Sequence, residues 1–434
     1  MKPRKNLGFF ICLQTPWNKQ GRKVVDMGKL ISIILIVAEL LGIAINHKNL
    51  NEIEVRPDTI QKYAEVLEEN SIQTVDEEIL ERIEELHHEL VRNSEEDVYE
   101  IIDIDINKRY LYEQMVEDIK RLEEAYPQII QAEIIGQSED NRDIYLIKLG
   151  KGKVQALMLG GVHAREIANT PLIMKMINEY ARLYYKIGEL DGFNVRNLLD
   201  SVTLYIVPLV NPDGMEIVVN GEEAIRTPEL REALKKMPGN RRMWKANARG
   251  VDLNRNFPNE YWNVVLPGRT KSKLISSVPS AEFYNGEYAA SEKEVRTIVE
   301  LVNNNDFKVM FDIHSRGRVI YWYKLAKSEE FNARVYEIAK AVSKVSGYEP
   351  LSKAHATLGI GTNGNTTDFT IEKDIYSITV ETMPYDIPSP YPVDLIVEEW
   401  DRFKSIGLVL ADESLKVARE QMLGLSKIET VAIN

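Results

Sequence analysis

Two histidines and a glutamate in this chain have the residue types and spacing that suit a metal ion. His163 and Glu166 stand three positions apart in His-Ala-Arg-Glu, directly after an apolar segment. This spacing lets an imidazole and a carboxylate face one cation across a single turn. His314 ends a second apolar segment, in Phe-Asp-Ile-His-Ser. Two nitrogens and one carboxylate suit zinc best, and they leave a fourth position for water, as in catalytic zinc sites.

The placement of these histidines makes the pattern more specific. A His-x-x-Glu pair alone is weak, because it occurs often by chance. Of the six histidines in the chain, only His163 and His314 follow strand-like apolar segments. The other four are His47, His87, His88 and His355. We therefore predict a zinc site formed by His163, Glu166 and His314.

Alternating strands and helices must position these residues. The clearest predicted strands are 154–160, 203–210, 308–314 and 376–382, and the clearest predicted helices are 170–185, 291–304, 329–346 and 393–420. This alternation is typical of an α/β domain. The four strands lead to His163, Asn211, His314 and Glu381, respectively. Ligands of open α/β sheets bind beyond the carboxyl ends of the strands, so we expect these residues at one edge.

Composition narrows the range of partners and metal ligands. The formal net charge of -13 and the pI near 5.2 disfavour nucleic acid as a partner, because both would repel phosphate groups. Cys12 is the one cysteine, so an intramolecular disulfide and a thiolate metal cage are excluded. Any metal is therefore held by histidines and carboxylates.

The beginning of the chain has features of an export segment. Residues 30–45 form an apolar run that follows several lysines and arginines, which favours export. A cleaved signal peptide and an uncleaved membrane anchor both fit, with the anchor slightly favoured; a buried core helix is the alternative. Either exported form places the rest of the chain outside the cytosol.

The remaining sequence divides into three parts. Residues 47–106 are acidic and contain one amphipathic helical pattern, which we interpret as a stalk, with an inhibitory pro-like segment as the alternative. Residues 107–425 form the predicted catalytic domain. Residues 426–434 form a C-terminal tail, and 1–46 hold the basic N-terminus and the signal or anchor segment.

Several motifs, in order along the chain, resemble those of the zinc carboxypeptidases of the carboxypeptidase A type. They are HARE at 163–166, NPDG at 211–214, GVDLNRNF at 250–257, HS at 314–315 and TVET ending at 382. The resemblance implies a three-layer sandwich with a mixed, mostly parallel sheet of about eight strands flanked by helices. It also implies one Zn²⁺ per catalytic domain.

The resemblance assigns roles to individual residues. It implies metal ligands at His163, Glu166 and His314. Glu381 becomes the general base that takes a proton from water and passes it to the leaving amine. Asp252 becomes the carboxylate that orients His163.

Substrate recognition follows from the same resemblance. Asn254 and Arg255 match the pair that holds a terminal carboxylate, with help from Arg165, and a guanidinium is the natural bidentate partner of that group. The alternative is that Arg255 only braces its loop. Thr367 matches a position that lines the side-chain pocket, where a small polar residue disfavours bulky apolar or basic side chains.

Two positions depart from the family pattern. Lys245 stands where the family has an arginine that polarises the carbonyl, so either Lys245 or Arg249 is expected to stabilise the oxyanion. The usual mobile tyrosine is missing from residues 358–367. The group that replaces it is not evident from the sequence.

The segment from Trp244 to Arg255 resembles bacterial members that cut γ-D-glutamyl to diamino acid bonds of cell-wall peptides. The predicted substrate is therefore a peptide or muropeptide with a free carboxylate. General C-terminal trimming is the milder version. The alternatives are an amidohydrolase acting on N-acyl amino acids and a catalytically silent, membrane-tethered binding protein. The sequence does not indicate an oligomeric state.

Overall fold

An eight-stranded sheet forms the centre of the described part of the chain. The computed structural model describes residues 102–260, 262, 276–324, 327–353, 364–387 and 391–432, with side chains up to residue 424. The predicted signal or anchor segment and residues 47–101 of the predicted acidic stalk lie outside the described residues, as does most of the segment in which the family tyrosine is missing. The predicted domain boundaries stay predictions.

The strand order of the main sheet is β1-β2-β6-β3-β7-β10-β8-β9. These strands are β1 (Ile130–Gln137), β2 (Asp143–Leu149), β3 (Val154–Gly160), β6 (Val202–Val207), β7 (Phe307–Ser315), β8 (Val319–Tyr321), β9 (Glu349–Pro350) and β10 (Tyr376–Thr382). The central strands β6, β3, β7 and β10 are parallel. The antiparallel pairs are β1 with β2, β2 with β6 and β8 with β10, and β9 is parallel to β8. Strands β4 (Glu189–Leu190) and β5 (Phe193–Asn194) form a separate hairpin.

Helices occupy most of the connections. They are α1 (Tyr112–Ala125), α2 (Asn169–Tyr185), α3 (Val195–Ser201), α4 (Pro212–Asn220), α5 (Pro228–Lys236), α6 (Lys293–Asn303), α7 (Glu329–Ser346), α8 (Thr366–Glu372), α9 (Val393–Phe403) and α10 (Ile406–Ala432). The predicted strand 376–382 and the predicted helix 329–346 are confirmed to the residue. The predicted single helix 393–420 is wrong, because the chain breaks into α9 and α10.

Tertiary contacts with Tyr180 explain the break between α9 and α10. The Tyr180 hydroxyl donates a hydrogen bond to the Lys404 carbonyl at 2.6 Å and accepts one from the Leu408 amide at 3.1 Å. The same phenol therefore satisfies backbone groups at the end of α9 and the start of α10. Ser405 between them donates to Asp191 at 2.5 Å.

The two faces of the sheet pack against different layers. On β7, Val309 and Phe311 belong to a large core with α2, α7 and α10, whereas Met310 belongs to a second core with α6 and Phe369. Alternation along a strand places successive side chains on opposite faces. The result is helix, sheet and helix in three layers, which confirms the predicted α/β fold. Asp312 and His314 lie on the same face of β7 as Met310.

Candidate metal centre and active site

The carboxyl ends of three parallel strands position the candidate catalytic residues. β3 ends at Gly160, three residues before His163, and β7 carries His314 near its end. β10 runs parallel to β7 with Glu381 directly opposite His314 in register. Residues that lie more than 200 positions apart along the sequence, from 163 to 381, therefore meet at one edge of the sheet.

Three side chains meet there in a tight group. His163 Nδ1 lies 2.8 Å from Glu166 Oε1, and His314 Nδ1 lies 3.0 Å from Glu166 Oε2. The two Nδ1 atoms are 2.9 Å apart. All three residues are buried. The structure thus brings together the three predicted ligands.

A carboxylate lies behind each imidazole. His163 Nε2 is 3.4 Å from Asp252 Oδ1, and His314 Nε2 is 2.9 Å from Asp312 Oδ2. Both carboxylates are fully buried. Among the described residues, neither oxygen of Asp312 meets hydrogen-bond geometry with any partner, and the same holds for His163 Nε2 and Asp252 Oδ1, so both are close charge contacts. With a carboxylate beside each Nε2, the neutral tautomer protonated at Nε2 is favoured, and this tautomer has its lone pair on Nδ1.

This arrangement fits a cation. When the Nε2–H groups face carboxylates, the two Nδ1 lone pairs point at each other across 2.9 Å, beside an anionic carboxylate. Such a group of lone pairs is unfavourable without a positive charge between them, and two nitrogens with one carboxylate match a zinc ligand set. The residues present therefore fit the zinc ion that the motifs imply.

The charges at the site shift the pKa values of its metal-free form. Burial alone would lower the pKa of His314, but the Asp312 and Glu166 carboxylates raise it well above its usual value. Burial opposes ionisation of Glu166, yet the two histidines hold its pKa below the ordinary range. Burial lowers the pKa of His163.

Glu381 lies beside the ligand group on β10. Burial, followed by the charge of Glu166, raises the pKa of Glu381 to about 8 in the metal-free protein. With this pKa, the carboxyl group can both accept and release a proton near neutral pH. A bound cation would lower this pKa by favouring the carboxylate form.

The two candidates for oxyanion stabilisation are in different places. Lys245 is buried, with Nζ 3.5 Å from Asp252 Oδ2, and burial lowers its pKa. Arg249 instead faces Glu292 and Glu287, at 3.7 and 3.9 Å. The geometry favours Lys245, because Lys245 contacts the carboxylate that orients His163.

The three residues predicted to bind a carboxylate differ in how firmly neighbouring groups hold their side chains. Asn254 is fixed, because its Oδ1 accepts hydrogen bonds from Thr366 and its Nδ2 lies 3.3 Å from His314 Nε2. Arg255 donates through Nη1 to the Asn254 carbonyl, and its buried Nε has no hydrogen-bond partner among the described residues. Arg165 contacts Glu282 at 3.0 Å. Arg255 is therefore the side chain best placed to bind a carboxylate.

The predicted pocket residue Thr367 is in contact with an unpredicted cation. Lys324 Nζ donates to Thr367 Oγ1 at 2.7 Å and lies 2.8 Å from Asp368 Oδ1. Thr367 is buried beneath these groups, in the first turn of α8.

Asn211 and a further cluster of three carboxylates both form hydrogen bonds that hold the structure. Asn211 caps α4 by accepting from the Gly214 amide, and its Nδ2 donates to the carbonyls of Val162 and Ala246. Three carboxylates, Glu139, Glu292 and Glu294, also lie close together. Backbone amides, Asn247 and Ser291 donate hydrogen bonds to them. These partners explain the group without an ion.

Sequence reasoning missed Asp312 and Lys324, which contact predicted site residues. A signal existed for Asp312, because residues two apart on a strand share a face and Asp312 precedes His314 by two. Lys324 gave none, since its partners lie 43 and 44 positions away.

Comparison with known proteins agrees with this geometry. The family model described as zinc carboxypeptidase matches residues 115–401. The chain is 33% identical to Gamma-D-glutamyl-L-diamino acid endopeptidase 1 of Lysinibacillus sphaericus, over 58% of this chain and 61% of that protein. It is 28% identical to Carboxypeptidase B of Rattus norvegicus, over 59% of this chain and 58% of that protein. The matches thus span about three-fifths of these relatives.

Solved structures share the fold. Bovine thrombin-activatable fibrinolysis inhibitor, solved with tick carboxypeptidase inhibitor, is 23% identical and aligns over 73% of this chain and 99% of its own, with a TM-score of 0.56. Carboxypeptidase A from Helicoverpa armigera is 19% identical over 83% and 88%, also with a TM-score of 0.56. With a family match across most of the sheet and the converged ligand set, this chain belongs to the zinc carboxypeptidase family of metallopeptidases, with zinc as its cofactor.

Proposed function

We propose that the protein hydrolyses γ-D-glutamyl to diamino acid bonds in cell-wall peptides, outside the cytosol. The observation that carries the hydrolytic part is the grouping of His163, Glu166 and His314 beside Glu381. Similarity to the Lysinibacillus sphaericus endopeptidase supports the substrate class. The basic segment ahead of the apolar run at 30–45 supports export. No helix within the described residues is long and apolar enough to cross a membrane.

The ligand residues and the carboxylates behind them act together. His163 Nδ1, His314 Nδ1 and the Glu166 carboxylate would hold the zinc, which when bound acts as a Lewis acid toward water and the peptide carbonyl. Asp252 and Asp312, each close to one Nε2, would hold the imidazoles in the tautomer that offers Nδ1 to the zinc. This preorganisation lowers the reorganisation needed during the reaction.

Glu381 supplies the proton transfer. Its carboxylate, level with His314 in the sheet, can take a proton from the attacking water and deliver it to the nitrogen of the leaving amine. Burial raises the pKa of Glu381 in the metal-free protein, which supports a role in holding a proton. The substitution Glu381→Gln keeps the shape of the side chain but removes the group that accepts the proton.

Two cations near Asp252 have separate roles, one in stabilising the oxyanion and one in binding the substrate. Lys245 is buried next to Asp252, where an ammonium can stabilise negative charge that develops on the carbonyl oxygen. Arg255, whose Nε has no hydrogen-bond partner in the part of the chain that the structure describes, can bind a free carboxylate of the substrate. Substrates that lack a free carboxylate are therefore expected to be poor.

The test compares two bond types in one assay. The zinc-loaded full-length protein is incubated with L-alanyl-γ-D-glutamyl-diaminopimelate and with its α-linked isomer, and products are identified by mass spectrometry. We expect cleavage of the γ bond at least about tenfold faster, and almost none with Glu381→Gln. Cleavage of the α-linked peptide alone would contradict the cell-wall assignment. Equal turnover by Glu381→Gln would remove Glu381 as the base.

A further inference from the structure

Lys324 and Asp368 place one cation and one anion at the predicted side-chain pocket. Lys324 follows β8, and its Nζ contacts both Thr367 Oγ1 and Asp368 Oδ1. Asn365 caps α8 by accepting from the Asp368 amide at 2.8 Å, and its Nδ2 donates to the Asp368 carboxylate at 2.6 Å. Both charges therefore have fixed positions.

Short contacts connect this charged pair to the metal ligands. Thr366, next to Thr367, donates its amide and hydroxyl to Asn254 Oδ1 at 2.9 and 2.8 Å. Asn254 Nδ2 is in turn 3.3 Å from His314 Nε2. Lys324 and Asp368 are therefore linked to His314 through Thr367, Thr366 and Asn254.

Strand β8, just before Lys324, borders the same face near Glu381. Tyr321 lies opposite Thr379 in the antiparallel register of β8 and β10, and Thr379 precedes Glu381 by two residues. Side chains two residues apart on a strand share a face, so Tyr321 lies on the same face of the sheet as Glu381. Lys324 follows Tyr321 by three residues, so the segment that carries it begins on the strand next to Glu381.

The exposure of this pair differs from that of a structural ion pair. The side chains of Lys324 and Asp368 are 17% and 32% exposed, whereas those of Arg142 and Asp140 are 3% and 0% exposed. A partly exposed pair contributes little to stability, so exchanging its partners for a ligand costs little.

We propose that Lys324 and Asp368 bind the amino-carboxylate end of a diamino dicarboxylic acid side chain, as in diaminopimelate. Lys324 holds the carboxylate and Asp368 holds the ammonium group. The inference rests on the proposed function and specifies which diamino acid the enzyme prefers. Lysine, which has the amine but not the second carboxylate, meets the Lys324 ammonium with like charge and is disfavoured.

Binding of three matched amino acids tests the proposal without any cleavage step. Meso-diaminopimelate carries both end groups, L-lysine lacks the end carboxylate, and L-aminopimelate lacks the end amine. Calorimetry on the zinc-loaded full-length protein should show diaminopimelate binding about ten- to a hundredfold tighter than either of the others. Lys324→Met should remove the advantage over lysine, and Asp368→Asn the advantage over aminopimelate.

Lys327 offers a matched control in the same connection. Its Nζ pairs with Asp374 at 2.6 Å, and the Asp374 side chain is exposed. Lys327→Met should therefore keep the wild-type order of the three ligands. Melting temperatures of all variants identify any that fail to fold, and Lys324→Met and Asp368→Asn report on different ligand pairs.

The outcomes separate this proposal from the proposed function. Equal binding of the three ligands by the wild type, or an unchanged preference in Lys324→Met, would overturn the role of the charged pair, even if the γ-D-glutamyl bond is cleaved. A preference for diaminopimelate that Lys324→Met removes supports the pocket, even if the α-linked peptide proves to be the one that is cleaved.

Discussion

Replacing Asp312 by asparagine is expected to weaken zinc binding and leave the metal-free fold intact. Asp312 is fully buried, and His314 Nε2 at 2.9 Å is its one close partner in the described part of the chain. Asparagine keeps the size and one acceptor oxygen but loses the charge that makes His314 a stronger ligand. Changes of this kind behind a metal ligand typically cost 10- to 100-fold in metal affinity, or about 1.4 to 2.7 kcal/mol.

The assay is competition for zinc against a chromophoric chelator of known affinity, with the melting temperature of the metal-free protein measured in parallel. Asp306→Asn is the control, because Asp306 lies just before the same strand but its side chain is 82% exposed and pairs with Lys308. The reasoning is refuted if Asp312→Asn binds zinc as tightly as the control. It is also refuted if the metal-free protein no longer folds, since Asp312 would then serve the fold instead of the ligand.

Further predictions concern stability, the oxyanion and export. Burial opposes ionisation of Asp140, but hydrogen bonds from the amides of Arg226 and Thr227 lower its pKa. The ionised Asp140 therefore stabilises the folded protein at neutral pH, and this contribution is lost as the pH falls through the lowered pKa. Thermal unfolding should show Asp140→Asn less stable by about 1 to 3 kcal/mol at pH 7, and the gap should shrink under acid; an equal gap at both pH values would contradict this. Lys245→Met should lower kcat by about 100- to 1000-fold with zinc content unchanged, whereas Arg249→Met should stay near wild type; the reverse order would assign the oxyanion to Arg249. A reporter active only outside the cytosol, fused after the last residue of the full chain, should be active; a silent reporter would contradict export.

Elements with strong local patterns could be predicted from sequence. The predicted strand 376–382 and helix 329–346 match the structure, because alternation and helical periodicity respectively determine them. The predicted strand 203–210 ends earlier, at Val207, where Pro208 follows. The break between α9 and α10 was missed, because it depends on Tyr180, which is distant in sequence. Periodicity carries no information about such a contact.

The candidate site divides in the same way. His163, Glu166, His314 and Glu381 could be predicted because each stands at or just after the end of an apolar strand. The contact of Lys324 with Thr367 could not, since it depends on how β8 and α8 pack together. The different surroundings of Lys245 and Arg249 also depend on tertiary structure, because both are cations within one short segment.

The identity of the zinc ligands is tested most directly by a crystal structure of the zinc-loaded protein, with anomalous scattering recorded across the zinc edge. We expect one strong anomalous peak, bonded to His163 Nδ1, His314 Nδ1 and the Glu166 carboxylate. A peak at the Glu139, Glu292 and Glu294 carboxylates with none at the histidines would contradict the account.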